Sequence, residues 1–479
     1  MRSRVEADRR RAAAVAVAVV LCALVATASA SAADYVPGVV VVGYEQPLSM
    51  TPDQARLARA NSAGLSATVS STSLVRTPRG VSVATEIRRL RHMPGVTYAV
   101  PDFVAHAAGS WIPNDPGTTH VRGGWQKMQW NFLPGVGVNA PEAWANLRAD
   151  GRAGGRGVVV AVLDTGVAYR NWGKFRRSPD FGGTKFVHPY DFVAKNPYPL
   201  DREGHGTFVA GMIAEATNNG FGLTGLAYGA SIMPVRVLNA QGAGDAITIA
   251  KGIRYAVNHG AQVINMSLEF GLDVTSSQIP EVVSAIRFAH SRGVVVVAAA
   301  GNEGDTQLAY PAAAPDVISA GATTKDRCLA DYSNNGPRLD LVAPGGGDDD
   351  PSLTDPNCNS YRNLPSIYQM TLTDPSHPAR FGYPGYIYGT SMSSPEVAAT
   401  AALVIASRVL GRHPTPQQIL KRLEQTATPL DGSQPNSTYG WGLLNAGAAT
   451  ASRSQAKTGP TGPTGPTGRT GPTGTTGPK

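Results

Sequence analysis

Val158-Val159-Val160-Ala161-Val162-Leu163, followed at once by Asp164-Thr165-Gly166, is the stretch that decides the fold. Six apolar residues in a row, four of them valine, predict a strand buried on both faces, because a strand with one wet face would alternate. Similar runs recur at 231–238, 261–268 and 293–300, with helical patterns at about 245–258, 279–291 and 391–410. Alternating β and α elements predict an α/β fold, a parallel central sheet covered by helices. Ligands in such folds bind beyond the carboxyl ends of the strands, which is where Asp164 stands.

The chain has 479 residues, 42% hydrophobic and 16% charged, enough for a large core and for two or three domains. Its net charge of +8 invites a nucleic-acid reading, since basic surface attracts phosphate. The charge is in the wrong place for that. Residues 1–108 carry 12 Arg against 7 acidic residues, while the remainder is nearly balanced at 30 against 27. No basic helix or aromatic-basic stripe stands out there, so nucleic acid is not an expected partner.

Arg2, Arg4 and Arg9 to Arg11 precede the apolar run 12–25 and then Ala28-Ser29-Ala30. A charged start, a short apolar stretch and an A-x-A site read as a secretory signal peptide over 1–32. The alternative is a membrane anchor, for which the run falls short of the ~20 apolar residues needed. No later stretch offers an anchor, so the mature protein is expected outside the cell and free of the membrane. Cys22 leaves with the signal. The two remaining cysteines, Cys328 and Cys358, are expected to pair, as cysteines of secreted chains do.

Residues 33–108 read as a unit of their own. A strand at 36–42, a helix at 50–63, a second helix at 83–92 and a strand at 95–100 predict a two-layer β-α…α-β unit. At the other end, 453–479 is low-complexity, with glycine at every third position from Gly459 to Gly477, mostly as Gly-Pro-Thr. The period is collagen-like, since only Gly fits the axis of a triple helix. For so short a run the preferred reading is an extended, solvated tail.

Four motifs punctuate the α/β region. Asp164-Thr165-Gly166 ends the first strand, though the same tripeptide also makes turns. Gly204-His205-Gly206-Thr207 opens an apolar helical pattern, where a solitary histidine is commonly structural. Gly301-Asn302-Glu303-Gly304 follows a strand run, and its amide either turns the chain or donates to a developing oxyanion. In Gly389-Thr390-Ser391-Met392-Ser393-Ser394-Pro395 the serine stands at a helix start. There it caps the helix or, with the helix dipole behind it, serves as a nucleophile.

Singly none decides; together, in this order and each at an element end, they do. Asp, His and Ser in this chain order form one of the known triads, and the chain resembles the subtilisin-family serine proteases over about 110–450. The resemblance implies Ser391 as nucleophile, His205 as general base and then acid, and Asp164 as the group that orients the imidazole. It implies Asn302 with the backbone N–H of Ser391 as the oxyanion hole, and no cofactor for the chemistry. Gly242-Ala243-Gly244 and Ser267-Leu268 match the two edges that pair with substrate backbone. Ala300, Gly301 and Ala309 match the primary specificity pocket, with Glu303 at its rim. Protein or peptide substrates with large apolar residues are implied, basic ones being tolerated through Glu303.

Residues 33–108 resemble the family's inhibitory propeptide, carrying Val36-Pro37-Gly38 and Val100-Pro101-Asp102. It would occupy the groove as an intramolecular inhibitor until cut near 104–110, leaving the peptidase domain, 109–452. Asp180 matches a calcium-ligand position and Asn218 or Asn219 the facing loop, against the alternative of a turn-forming Asn-Asn-Gly. Three departures from the family stand out. Glu269-Phe270 replaces two glycines, Phe208 and Glu396 stand where histidines are usual, and 345–385 reads as an inserted surface loop near the nucleophile.

Overall fold

The computed structural model describes residues 35–47, 68–103 except 79, and 111–452 except 120, 150, 360–364 and 433. The expected signal peptide, the helix over 50–63 and the tail lie outside the described residues. The chain divides into two compact units, residues 1–106 and 107–479.

In the first unit, β1 (Tyr35–Pro47) lies between β2 (Thr68–Arg76) and β3 (Val96–Phe103) in an antiparallel sheet. Helix α1 (Val83–Arg91) starts at Ser82, whose Oγ accepts the Thr85 N–H at 3.2 Å. It turns Val83, Ile87 and Leu90, a helical i, i+4, i+7 stripe, onto Val40, Val42 and Ala99 of the sheet. The strand β2 is absent from the order expected from sequence. Five of its nine residues are Ser or Thr, and it earns its place by pairing, with Val75 opposite Val40 and Leu74 opposite Val41.

The second unit contains, in chain order, α2 (Ala140–Ala149), β4 (Val159–Asp164), α3 (His205–Ala214), β5 (Ser231–Arg236), α4 (Ala246–Asn258), β6 (Val263–Met266), α5 (Pro280–Ser291) and β7 (Val295–Ala299). After these come β8 (Ile318–Thr323), β9 (Leu341–Pro344), α6 (Thr390–Ser407), α7 (Pro416–Thr426) and α8 (Ala446–Thr450). The six strands are parallel in the order β9-β8-β7-β6-β4-β5, with two-residue strands Lys185–Phe186 and Tyr190–Asp191 along β5.

The unbroken apolar run of β4 now has its reason. Val160 and Val162 enter the core that holds α3 and α6, while Ala161 and Leu163 enter the one that holds α4 and α5. Both faces are dry, so neither needs a polar residue.

Helix α6 runs through the first of these cores. All its residues except Ser391 and Ile405 are buried, and Ala398, Ala399, Ala401 and Ala402 let its backbone approach the sheet closely. The insertion is less superficial than expected. Ile367, Gln369, Met370, Thr371 and Leu372 are buried, and Thr371–Leu372 pairs antiparallel with Phe381–Gly382. Gln369 accepts from Gln129 Nε2 at 2.9 Å and donates to Thr224 O at 3.2 Å, which pins the insertion to the domain. Cys328 and Cys358 are joined by a disulfide.

Candidate active site

The strand order β7-β6-β4 brings three carboxyl ends together. Asp164 ends β4, Ser267 follows β6, and Ala300-Gly301-Asn302 follows β7. Two helix starts meet them, His205 at the first residue of α3 and Ser391 at the second of α6.

Asp164 is fully buried, and both its oxygens face His205 Nδ1, at 2.8 Å for Oδ1 and 3.0 Å for Oδ2. Thr165 N–H also donates to Oδ1, at 2.7 Å. A carboxylate on Nδ1 fixes the tautomer that leaves Nε2 free to take a proton. The approach depends on Gly206, where a Cβ would lie 2.2 Å from Gly166 O and 3.0 Å from Asp164 Oδ1. Burial disfavours the charged imidazole of His205, but the Asp164 carboxylate, with Glu203 and Asp201 nearby, outweighs it and holds the pKa up at about 9.

Asp201, which sequence reasoning did not single out, organises this turn. Its buried carboxylate accepts the N–H groups of Glu203 (3.0 Å), Gly204 (2.9 Å) and Thr207 (2.9 Å), and the Thr165 hydroxyl at 3.0 Å. The Gly204 and Thr207 N–H groups among them are orphan donors of a helix start that opens on glycine and has no side-chain cap of its own. Their only hint in sequence was an aspartate a few residues ahead of a helix.

Pro395 has no N–H to offer the Ser391 carbonyl one turn back. The Ser267 hydroxyl takes that role, donating to Ser391 O at 2.8 Å, and it also bonds Ser394 Oγ at 2.8 Å. Ser391 Oγ itself donates to Ser267 O at 3.5 Å. Asn302 is oriented from its oxygen side: Oδ1 accepts the Thr390 N–H at 2.8 Å and bonds the Thr390 hydroxyl at 3.0 Å. Its Nδ2 donates to Glu269 Oε1 at 3.3 Å.

Two cavities meet at Ser391 and His205. One of about 560 Å³ is lined by Gly242, Ala243, Gly244, Ser267, Leu268 and Glu269 among others. The other, about 370 Å³, is lined by Asn302, Leu372, Tyr386, Tyr388 and Met392 among others. Ala300, Gly301, Glu303 and Ala309 line neither. They sit together behind Asn302, with the Ala309 N–H on Ala300 O at 2.9 Å and Glu303 Oε2 accepting Asn334 Nδ2 at 2.6 Å.

Asp180 and Asn218 lie elsewhere. Asp180 is buried and accepts the Leu223 N–H at 2.8 Å and Asn219 Nδ2 at 3.1 Å. Asn218 turns its side chain to the Asn114 N–H instead, at 3.1 Å. Of the two asparagines, Asn219 is the one beside Asp180. Burial raises the pKa of Asp180 to about 7 and of Asp115 to about 6, and pushes Glu215 well up. Glu215 Oε1 is buried without a hydrogen-bond partner among the described residues. Oxygen donors with surplus negative charge fit a hard cation. No group of three or more His, Cys, Asp or Glu among the described residues is arranged to hold a metal, so amide and main-chain oxygens would have to complete the shell.

Comparison with known proteins gives the same picture. The family model described as "Subtilase family" matches residues 155–442, and that described as "Fervidolysin N-terminal prodomain" matches 23–102. The chain is 33% identical to the thermophilic serine proteinase of Bacillus sp. (strain AK1), over 75% of this chain and 74% of that protein. It is 37% identical to Subtilisin Savinase of Lederbergia lenta, over 62% and 91%. A solved protease of Pseudoalteromonas arctica superposes with a TM-score of 0.57 at 30% identity, covering 71% of this chain and 99% of that one. The chain therefore belongs to the subtilase family, and is a subtilisin-like serine endopeptidase with an N-terminal prodomain.

Proposed function

We propose that Asp164, His205 and Ser391 hydrolyse peptide bonds through an acyl-enzyme, in a protein secreted as an autoinhibited precursor. The observation that supports it best is the 2.8 Å bond between buried Asp164 Oδ1 and His205 Nδ1, beside a cavity that His205 shares with Ser391. His205 takes the Ser391 proton as Oγ attacks the scissile carbonyl, then delivers it to the leaving amine. Water repeats the sequence on the acyl-enzyme. Asn302 Nδ2 and the Ser391 N–H receive the oxyanion, a role for which the fixed Asn302 amide is preorganised. The edges Gly242–Gly244 and Ser267–Leu268 hold the substrate backbone, and Ala300, Gly301, Glu303 and Ala309 shape the site for the residue before the scissile bond.

In this reading residues 1–32 direct export, 33–108 inhibit until removed, 109–452 carry the activity, and 453–479 are a Gly-Pro-Thr-rich tail outside it. Among the described residues no helix is long and apolar enough to cross a membrane. A structural calcium ion at Asp180 and Asn219 belongs to the same proposal and takes no part in the chemistry. A fluorophosphonate should label the matured protein covalently and fail on Ser391→Ala. Absence of labelling on correctly matured protein would defeat the reading.

A further inference from the structure

Among the described residues, the larger cavity beside Ser391 is lined by two carboxylic acids, Glu203 and Glu269, and by no lysine or arginine. They come from different elements, Glu203 from the turn that opens α3 and Glu269 from the segment after β6. Glu203 is fixed: its Oε2 accepts the His205 N–H at 2.6 Å, and its own N–H is held by Asp201 Oδ1 at 3.0 Å. The adjacent cation in sequence, Arg202, lies over the Phe175 ring, 5.0 Å from its centroid. Glu269 meets Asn302 Nδ2 at 3.3 Å, and the following Phe270 N–H is tied to Tyr310 O at 2.7 Å.

Neither acid is neutralised by a basic partner in the cavity other than His205. Burial first, then Asp201 and Asp164 at Glu203 and Glu303 at Glu269, push both carboxyls above the usual range. Glu303 is committed elsewhere, to Asn334 Nδ2 at 2.6 Å and the Asn302 N–H at 3.1 Å. The remaining wall is apolar, through Leu238, Ile249, Leu268 and Phe270.

We propose that Glu203 and Glu269 make this cavity a subsite for cationic side chains, so that the enzyme favours peptides with Lys or Arg along the Gly242–Gly244 and Ser267–Leu268 edges. The inference rests on the endopeptidase reading and deepens it by substrate class. The apolar wall carries the alkyl stem while the charged head reaches the carboxylates. An uncharged isostere would gain the first contact and leave the second unmade. In a partly desolvated cleft each such ion pair favours the cation by about tenfold.

Matched fluorogenic peptides with Lys or norleucine at one residue before the scissile bond, scanned position by position, test this on the matured enzyme, E203Q and E269Q. At one position or more the parent should prefer Lys about tenfold in kcat/KM, the ratio should fall about tenfold in E203Q or E269Q, and it should shrink as salt rises. A Lys-to-norleucine ratio of one or less everywhere, or one that both variants leave unchanged, overturns the inference. The ratio is insensitive to a general loss of activity, and E269K should turn the preference toward Glu over Gln. An enzyme that cleaves neither peptide and resists fluorophosphonate fails the endopeptidase reading itself. One that cleaves both peptides equally fails only the cationic subsite.

Discussion

Asn131 Nδ2 donates at 2.7 Å to Oε1 of Glu396, a residue of the helix that carries Ser391, and both side chains are buried. Asn131 Oδ1 and Glu396 Oε2 have no hydrogen-bond partner among the described residues. Burial pushes the pKa of this carboxyl well up, with only the Asn131 bond opposing.

Above the usual carboxylate range the unfolded chain gives up the Glu396 proton and the folded one keeps it, so stability falls as pH rises toward the folded pKa. Glu396→Gln keeps the shape without the proton. It should match the parent near pH 4 and exceed it at neutral pH by on the order of 1–3 kcal/mol. Thermal unfolding in a Ser391→Ala background, which prevents self-digestion, measures the difference.

His205 makes a kinetic prediction. With its pKa held at about 9, the base form accumulates only as pH climbs through that value, so kcat/KM should still be rising at pH 8. The ion pair's contribution to stability has the opposite course, complete below about 6.5 and lost as pH rises through about 9. Asp164→Asn should move the kinetic inflection toward the ordinary imidazole value and lower kcat by roughly 10⁴-fold. A pH–rate profile of both proteins reads both effects.

Thr390→Val should act through Asn302. It removes the hydroxyl that holds Asn302 Oδ1 while leaving the volume unchanged. An amide held on its oxygen side only by the Thr390 N–H is less firmly oriented as an oxyanion donor, so kcat should fall about tenfold with KM little changed. Thr390→Ser should restore most of the loss.

The Cys328–Cys358 link closes a sequence separation of 30 residues. Replacing both with alanine should cost about 3–4 kcal/mol by the chain-entropy relation, seen in denaturant unfolding of the Ser391→Ala protein.

Chelation should lower the unfolding temperature if calcium joins the charge at Asp180, Asp115 and Glu215. Asp180→Asn should remove that sensitivity. Equal temperatures with and without chelator count against the ion.

Much of this could be seen in the sequence, and what could not has physical causes. The buried strands were legible because burial on both faces leaves an unbroken apolar run, as at β4. The motifs around Asp164, His205 and Ser391 stood out because each residue sits at an element end with glycine within two positions. Thr68–Arg76 was not, since five hydroxyl residues serve a turn, a cap or a strand equally well. Asp201 escaped because its meaning lies across the turn, where it gathers N–H groups and the hydroxyl of Thr165, 36 positions away. Gln369 escaped for the same reason, its partners Gln129 and Thr224 being far off in sequence. Glu269 was visible as a departure, but its position against Asn302 was not.

Ser391 is carried on a rod of buried small residues that crosses the middle of the domain. A side chain mounted this way has no separate means of going slack. Heat should switch each molecule from competent to inert in one step, so a plot of surviving turnover against temperature should overlay the melting curve, and a routine activity assay should double as a count of intact molecules.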